Sequence, residues 1–292
     1  MTEVQPNRYD RTDGTTWVDQ IPWECFEADK VDAEQLQTVK AAALVEFNAH
    51  DYATYLSNVF PDDEDFKAAA WHWAAEEVLH GIALGRWAKR ADPSFDFEAA
   101  IRRFREGFSL PLDARESVRG SRAGELVARC IVEVGTSSFY TAFGQATAEP
   151  VFRKICQRIA ADEFRHYKLF YTHLKRYLER DHIGRLGRLR IALGRIAESE
   201  DDELAYAYYA GNTDGSVPYE RKVWSSAYMR RAYKLYRREH IERATAMTLK
   251  AAGLAPQGRL ASVGTGLAYW YLRRRRERLS RGAEPPLVSS AA

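Results

Sequence analysis

Two segments of the chain carry a glutamate three residues ahead of a histidine: Glu77-Val78-Leu79-His80 and Glu163-Phe164-Arg165-His166. Three residues is close to one helical turn, so each carboxylate shares a helix face with its imidazole. Such a pair on each of two helices, joined by a single glutamate from each of two others, is a ligand set for two metal ions inside a four-helix bundle. Hard carboxylate oxygens suit ferric iron, and one imidazole per metal leaves positions open for oxygen. Among 292 residues with seven His, chance yields about 0.6 spacings of this kind. A third one, Glu179 to His182, lies roughly 160° around the helix from Glu163 at about 100° per residue, at a charged end, and is set aside.

The single glutamates must come from the other two helices. Glu46 is the only acid in the apolar run from Val39 to Ala49. Glu133, in Cys130-Ile131-Val132-Glu133-Val134, is the deeper choice on the next helix, with Glu125 as the alternative. For each carboxylate alone the competing explanation is a buried ion pair with Lys or Arg, since buried charges are usually paired. Glu46, Glu77, Glu133 and Glu163 follow one another at intervals of 31, 56 and 30 residues. Two antiparallel helices of about twenty residues with a short loop bring mid-helix positions together at roughly thirty residues apart, and the longer middle gap allows a crossover. Hairpin, crossover, hairpin is a ferritin-like arrangement. His50, four residues after Glu46, reads as a helix-surface histidine, and His72 as surface or core.

The elements that must position these residues are all helical. Three- and four-residue apolar steps and cap signals predict helices over about 32–60, 64–90, 97–108, 114–147, 150–180, 185–209, 218–253 and 260–281. Pro150 falls in a first turn, where proline is best tolerated. No period-2 strand or Asn-Gly hairpin signal is present, so the expected class is all-α: a ferritin-like four-helix bundle with additional C-terminal helices. The expected organisation is an N-terminal arm at 1–31, a di-iron bundle at 32–180, a further helical region packed on it at 181–282, and a disordered tail at 283–292. A hydrophobic content of 46% supports a real core and excludes a disordered chain. Cys25, Cys130 and Cys156 make neither a disulfide framework nor a thiolate zinc site, which points to a reducing compartment. With no secretory h-region and no apolar run long enough to span a bilayer, the expected location is cytoplasmic.

These residues resemble those of the soluble acyl-acyl-carrier-protein desaturases, the ferritin-like type found in plastids and some bacteria. The likeness covers about residues 30–180 and is carried by Trp73-Ala74-Ala75-Glu76-Glu77 with His80-Gly81, and by Ile159-Ala160-Ala161-Asp162-Glu163 with Arg165-His166. Glu46 with Tyr52, and Glu133 with Thr136, also fit. The resemblance implies iron ligation by Glu46, Glu77, His80, Glu133, Glu163 and His166, two iron ions as cofactor and dioxygen as co-substrate. It implies Thr136 as the hydroxyl near the oxygen-binding position and Asp162 as an outer carboxylate that orients a ligand histidine and sits on the electron route. Trp17 or Trp23 is the candidate for the family's buried tryptophan on that route. An acyl carrier protein, a ferredoxin-like donor and a homodimer are the partners implied. The first hairpin loop, the N-terminal arm and the C-terminal region depart from the family pattern.

The net charge of +2 conceals an asymmetry: 20 acids and 8 basic groups in residues 1–100, against 4 acids and 16 basic groups in 219–281. The basic block, with Arg273 to Arg276 beside Tyr269, Trp270, Tyr271 and Leu272, could attract an acidic carrier protein or make peripheral contact with anionic lipid. No motif supports nucleic-acid binding. The leading expectation is an oxygen-dependent desaturase. A di-iron N-oxygenase or hydroxylase is the alternative, and non-catalytic iron binding the contrasting class. An acyl-chain oxidase predicts a long apolar pocket running past Thr136; Gly135-Thr136-Ser137-Ser138, a run of small side chains, is where space beside the metals is expected.

Overall fold

The computed structural model describes residues 16–198, 202–281 and 285; all of the expected tail except residue 285 and the first half of the expected arm lie outside them. The described residues form helices and no strand. The helices are α1 Ala33–Phe47, α2 Ala49–Val59, α3 Glu64–Ala91, α4 Phe97–Gly107, α5 Arg122–Ala146, α6 Pro150–Asp181, α7 Arg185–Ala197, α8 Asp202–Asn212, α9 Arg221–Leu235, α10 Arg238–Ala251 and α11 Arg259–Leu279. None is long and apolar enough to cross a membrane.

Caps explain most of the boundaries. Asp32, Asp63, Asp96 and Ser121 each accept a backbone N–H from the first turn of α1, α3, α4 and α5. Glu149 caps α6 with its side chain fully buried, accepting from Val151 N, Phe152 N, Glu27 N and the Trp87 indole N–H. Four donors satisfy a carboxylate that would otherwise be costly to bury. Several boundaries differ from those the sequence predicts. The predicted helix 32–60 breaks at Asn48, whose side chain bonds Asp51 and Arg105 rather than leaving the backbone uninterrupted. The third long helix starts at Arg122 instead of about 114, after Gly120 turns the chain at φ +79°. The predicted stretch 218–253 is two helices, since the Arg237 N–H is taken by His240 Nδ1.

α1 and α2 pair with α3, α5 pairs with α6, and the two hairpins meet along α3 and α6. The core is in two apolar clusters. One joins Val39–Leu44 of α1, Ala83–Ala88 of α3, Phe139–Phe143 of α5 and Val151–Ile159 of α6. The other joins Ala49–Val59 of α2, Phe66–Ala74 of α3, Ala123–Val134 of α5 and Tyr167–Tyr177 of α6. Read along the chain, α1–α2 and α6 run one way and α3 and α5 the other. The α3-to-α5 connection therefore carries the chain back across the bundle, as the 56-residue interval requires. The seam between α1–α2 and α5 is covered by α7, α8 and α9, while α10 packs directly on α5 and α11 lies against α9 and α10.

Gly81 allows α1 and α3 to touch. A Cβ there would meet Phe47 N at 2.6 Å and Phe47 Cβ at 2.7 Å, backbone and inner side chain that cannot swing away. Gly81→Ala is expected to cost about 1–3 kcal/mol, read as a lower urea midpoint; an unchanged midpoint would refute this contact.

Candidate metal centre

Between the two apolar clusters each long helix presents acid or imidazole instead of an alkyl group. Glu46 sits in the last turn of α1, Glu77 and His80 mid-way along α3, Glu133 on α5, and Glu163 and His166 on α6. All six are buried, none more than 8% exposed. One donor atom from each of Glu46, Glu77, His80 and Glu163 lies within 4.8 Å of the others, and the same holds for Glu77, Glu133, Glu163 and His166. Glu77 and Glu163 belong to both groups, as bridging carboxylates would.

The two halves nearly mirror each other. His80 Nδ1 lies 3.0 Å from Glu77 Oε2, 3.5 Å from Glu163 Oε1 and 3.9 Å from Glu46 Oε2. His166 Nδ1 lies 3.0 Å from Glu77 Oε1, 3.5 Å from Glu163 Oε2 and 3.8 Å from Glu133 Oε2. Each shared carboxylate turns one oxygen toward each imidazole. Beyond the centre, His80 Nε2 meets Asp162 Oδ2 at 3.3 Å and His166 Nε2 meets Glu76 Oε2 at 3.0 Å. The acid that precedes each inner glutamate thus orients the histidine of the opposite helix. Arg165 pairs with both outer acids, Glu76 at 3.1 Å and Asp162, and Arg158 adds a bond to Asp162 at 3.1 Å. Nε2 held outward leaves Nδ1 as the inward donor.

Burial disfavours charge on every group here, yet the proximity of opposite charges decides most of the directions. Burial lowers and the carboxylates of Asp162, Glu163, Glu46 and Glu77 raise the His80 pKa, which ends well above the ordinary range. His166 moves the same way, its burial outweighed by Glu77, Glu163 and Glu76. Glu77 and Glu163 fall below the carboxylate range because the imidazolium charges outweigh burial. Glu46 and Glu133 rise well above it, through burial and then the charges of Glu77 and Glu163. Burial and the Glu46 charge push Tyr140 up as well, so its phenol stays protonated and donates to Glu46.

The buried-ion-pair explanation accounts for little of this. One guanidinium reaches the four carboxylates, Arg129 at 3.5 Å from Glu133 Oε1. Among the described residues, Glu133 Oε2, Glu163 Oε1 and His166 Nδ1 are buried without a well-directed hydrogen bond, though each lies 3.0–3.8 Å from a neighbouring acid or imidazole. Such atoms are expensive unless something converges on them. Small divalent ions such as zinc and magnesium take oxygen and nitrogen donors at about 2.0–2.2 Å, so donors around one such ion lie no more than roughly 4.4 Å apart. The observed spread needs only slight closing. The two overlapping groups could hold two metal ions.

Thr136 lies beside the centre, its hydroxyl 2.9 Å from Glu163 Oε2. Glu125 is elsewhere, accepting from Tyr55 at 2.9 Å and Ser117 at 2.7 Å. Glu179 is exposed. His50 packs against Trp71, and His72 is exposed. Trp17 presents its ring edge to His80 at a centroid distance of 6.1 Å, while Trp23 is buried and donates to Val18 O at 2.9 Å. Sequence reasoning passed over Glu76, Tyr140 and Arg129. Each had a signal: Glu76 repeats the Asp162 position of the other motif, and Arg129 and Tyr140 lie one turn before and two turns after Glu133 on its face.

A cavity of about 70 Å³ opens beside the centre, lined by Glu46, Glu77, Glu133, Glu163 and Thr136 and closed by Tyr52, Arg129, Arg195 and Glu203. Those last four residues also line a larger cavity of about 260 Å³ between α2, α5, α7 and the segment 108–119. The space past Thr136 is therefore not the long apolar pocket expected. Its throat is polar, because α7 and α8 cover the seam with Arg195 and Glu203. Gly135 faces open space, and Ser137 is buried against α6, bonding Ala160 O at 3.4 Å.

No protein-family model matches the chain, and comparison with curated proteins gives no match.

Metal titration of the metal-free chain is expected to saturate at two ions and to raise the thermal midpoint. His80, His166, Glu46 and Glu133 hold protons above their ordinary ranges and must release them to bind a cation. Affinity should therefore rise with pH, with protons released in a weakly buffered titration; no release on binding would count against this donor set. Glu76→Gln, which removes the charge facing His166 Nε2 and Arg165 without touching a proposed ligand, is expected to weaken metal binding by about 10–100-fold, measured by competition with a chelator.

Proposed function

We propose that the protein is an oxygen-dependent di-iron oxidase built on a ferritin-like bundle. The observation that carries this reading is the pair of overlapping donor groups sharing Glu77 and Glu163, with buried donor atoms left without a well-directed hydrogen bond. When bound, two iron ions would supply the reductive activation of dioxygen. Glu46, Glu77 and His80 with Glu163 would hold one, and Glu133 and His166 with the shared pair the other. Asp162 and Glu76 keep both imidazoles turned inward, and Tyr140 fixes one oxygen of Glu46. Thr136 offers a hydroxyl proton at the wall of the inner cavity, where an oxygen-derived group and a substrate would meet. The Trp17–His80–Asp162 contact supports Trp17 as the entry for electrons from a donor protein, with Arg158 over its ring at 5.7 Å.

The throat lined by Arg129, Arg195 and Glu203 favours hydroxylation or N-oxygenation of a small polar substrate. Desaturation of a carrier-bound acyl chain is the second reading, favoured by the two quoted helix motifs. Storage or sensing predicts no substrate cavity, and a cavity opens onto the centre.

The test is ferrous reconstitution followed by oxygen, a reductant and a panel of small carboxylic acids, amines and acyl carriers, with products analysed by mass spectrometry. A gain of about sixteen mass units marks oxygenation and a loss of about two marks desaturation. Less than about one iron per chain after reconstitution would sink the proposal. Trp17→Phe is expected to slow reduction of the iron by about tenfold, roughly 1.4 kcal/mol, with iron content unchanged.

A further inference from the structure

We propose that the outer cavity takes a small monocarboxylate, its carboxylate held by Arg195 with Arg129 behind it. This rests on the oxidase reading and names the substrate class of that site. The charged groups of the wall differ in how far they are already engaged. Arg119 makes two N–H···O bonds to Glu198. Glu125 is held by Tyr55 and Ser117, and Glu203 accepts from Tyr52 at 2.7 Å. Arg195, half-buried on α7, lines both cavities and has no ion pair among the described residues. Arg129 is buried against the rings of Tyr52, Trp73 and Phe170, and its Nε–H has no acceptor.

Guanidinium donors in a concave, partly dehydrated wall are costly until an oxyanion accepts from them, and their planar fork matches a carboxylate. The wall also holds Glu125, Glu198 and Glu203, so a single negative charge fits where a phosphate dianion would be repelled. Tyr55, Phe108, Leu110 and Pro111 supply an apolar side for the rest of the molecule. A volume of about 260 Å³ lies just under the roughly 300–1,000 Å³ of typical ligand pockets, which sets the size as small. Because Arg129 and Arg195 also line the inner cavity with Glu133, Glu163 and Thr136, a molecule held there lies directly beside the centre.

The experiment is calorimetric titration of the full iron-loaded chain, without oxygen, with benzoate and hexanoate and with their uncharged amides. The acids are expected to bind at least about tenfold more tightly than the amides, and Arg195→Gln to remove that preference while iron content and thermal midpoint stay unchanged. Equal affinity for acids and amides, or acid binding untouched by Arg195→Gln (which would indicate direct coordination to iron), overturns the inference. Two irons per chain with no acid bound ends the substrate class and leaves the oxidase reading standing. Acid binding through Arg195 in a chain that takes up no iron ends the oxidase reading alone.

Discussion

Four carboxylates brought together in the middle of an apolar bundle are the constraint on which the rest of the structure depends. Glu46, Glu77, Glu133 and Glu163 repel one another and have lost their water. Two imidazoles and one guanidinium offset that only in part, so protons settle on Glu46 and Glu133 and on both histidines. A pair of divalent cations would replace those protons and satisfy the buried donors together. The helices packed on either side hold these like charges together.

That hold comes from the two apolar clusters on either side. α3, α5 and α6 contribute to both, α1 to one and α2 to the other, so the polar layer is clamped from above and below by packed rings and alkyl groups. Gly81 brings α3 against the last turn of α1, next to Glu46 and His80. Outer partners do the finer positioning. Asp162 and Glu76 reach across between α3 and α6, and Arg165 ties both acids together, so the two helices hold each other's histidines. α7 and α8 cover the seam beside the centre, and they line the cavities there with arginine and glutamate.

Much of the bundle was legible because its signals are local. Helical periodicity, Asp and Ser caps and Pro150 mark where helices start, and the interval between glutamates places them at matching depths. What escaped was set by partners far away in sequence. Asn48 breaks the first helix through Asp51 nearby and Arg105 across a loop. Glu133 was preferred to Glu125 for its apolar neighbours, and the packing of Tyr55 and Ser117 against Glu125 shows what holds that second buried acid instead. Glu76 was visible in the repeat of an acid before each Glu-x-x-His, but its role is clear only once α6 lies beside α3.

By itself the sequence determined the all-helical class and singled out the six acids and histidines that the fold brings together, since helical spacing places side chains on a face regardless of what packs there. Tertiary structure alone decided which carboxylates are shared, which outer acid faces which histidine, and that the throat of the cavity is polar. Those properties depend on distances between helices and on the placement of α7 and α8. Intervals along one chain carry no information about them, because neighbours in the bundle are separated by thirty to a hundred and fifty residues, as Tyr52 and Glu203 are, 151 residues apart.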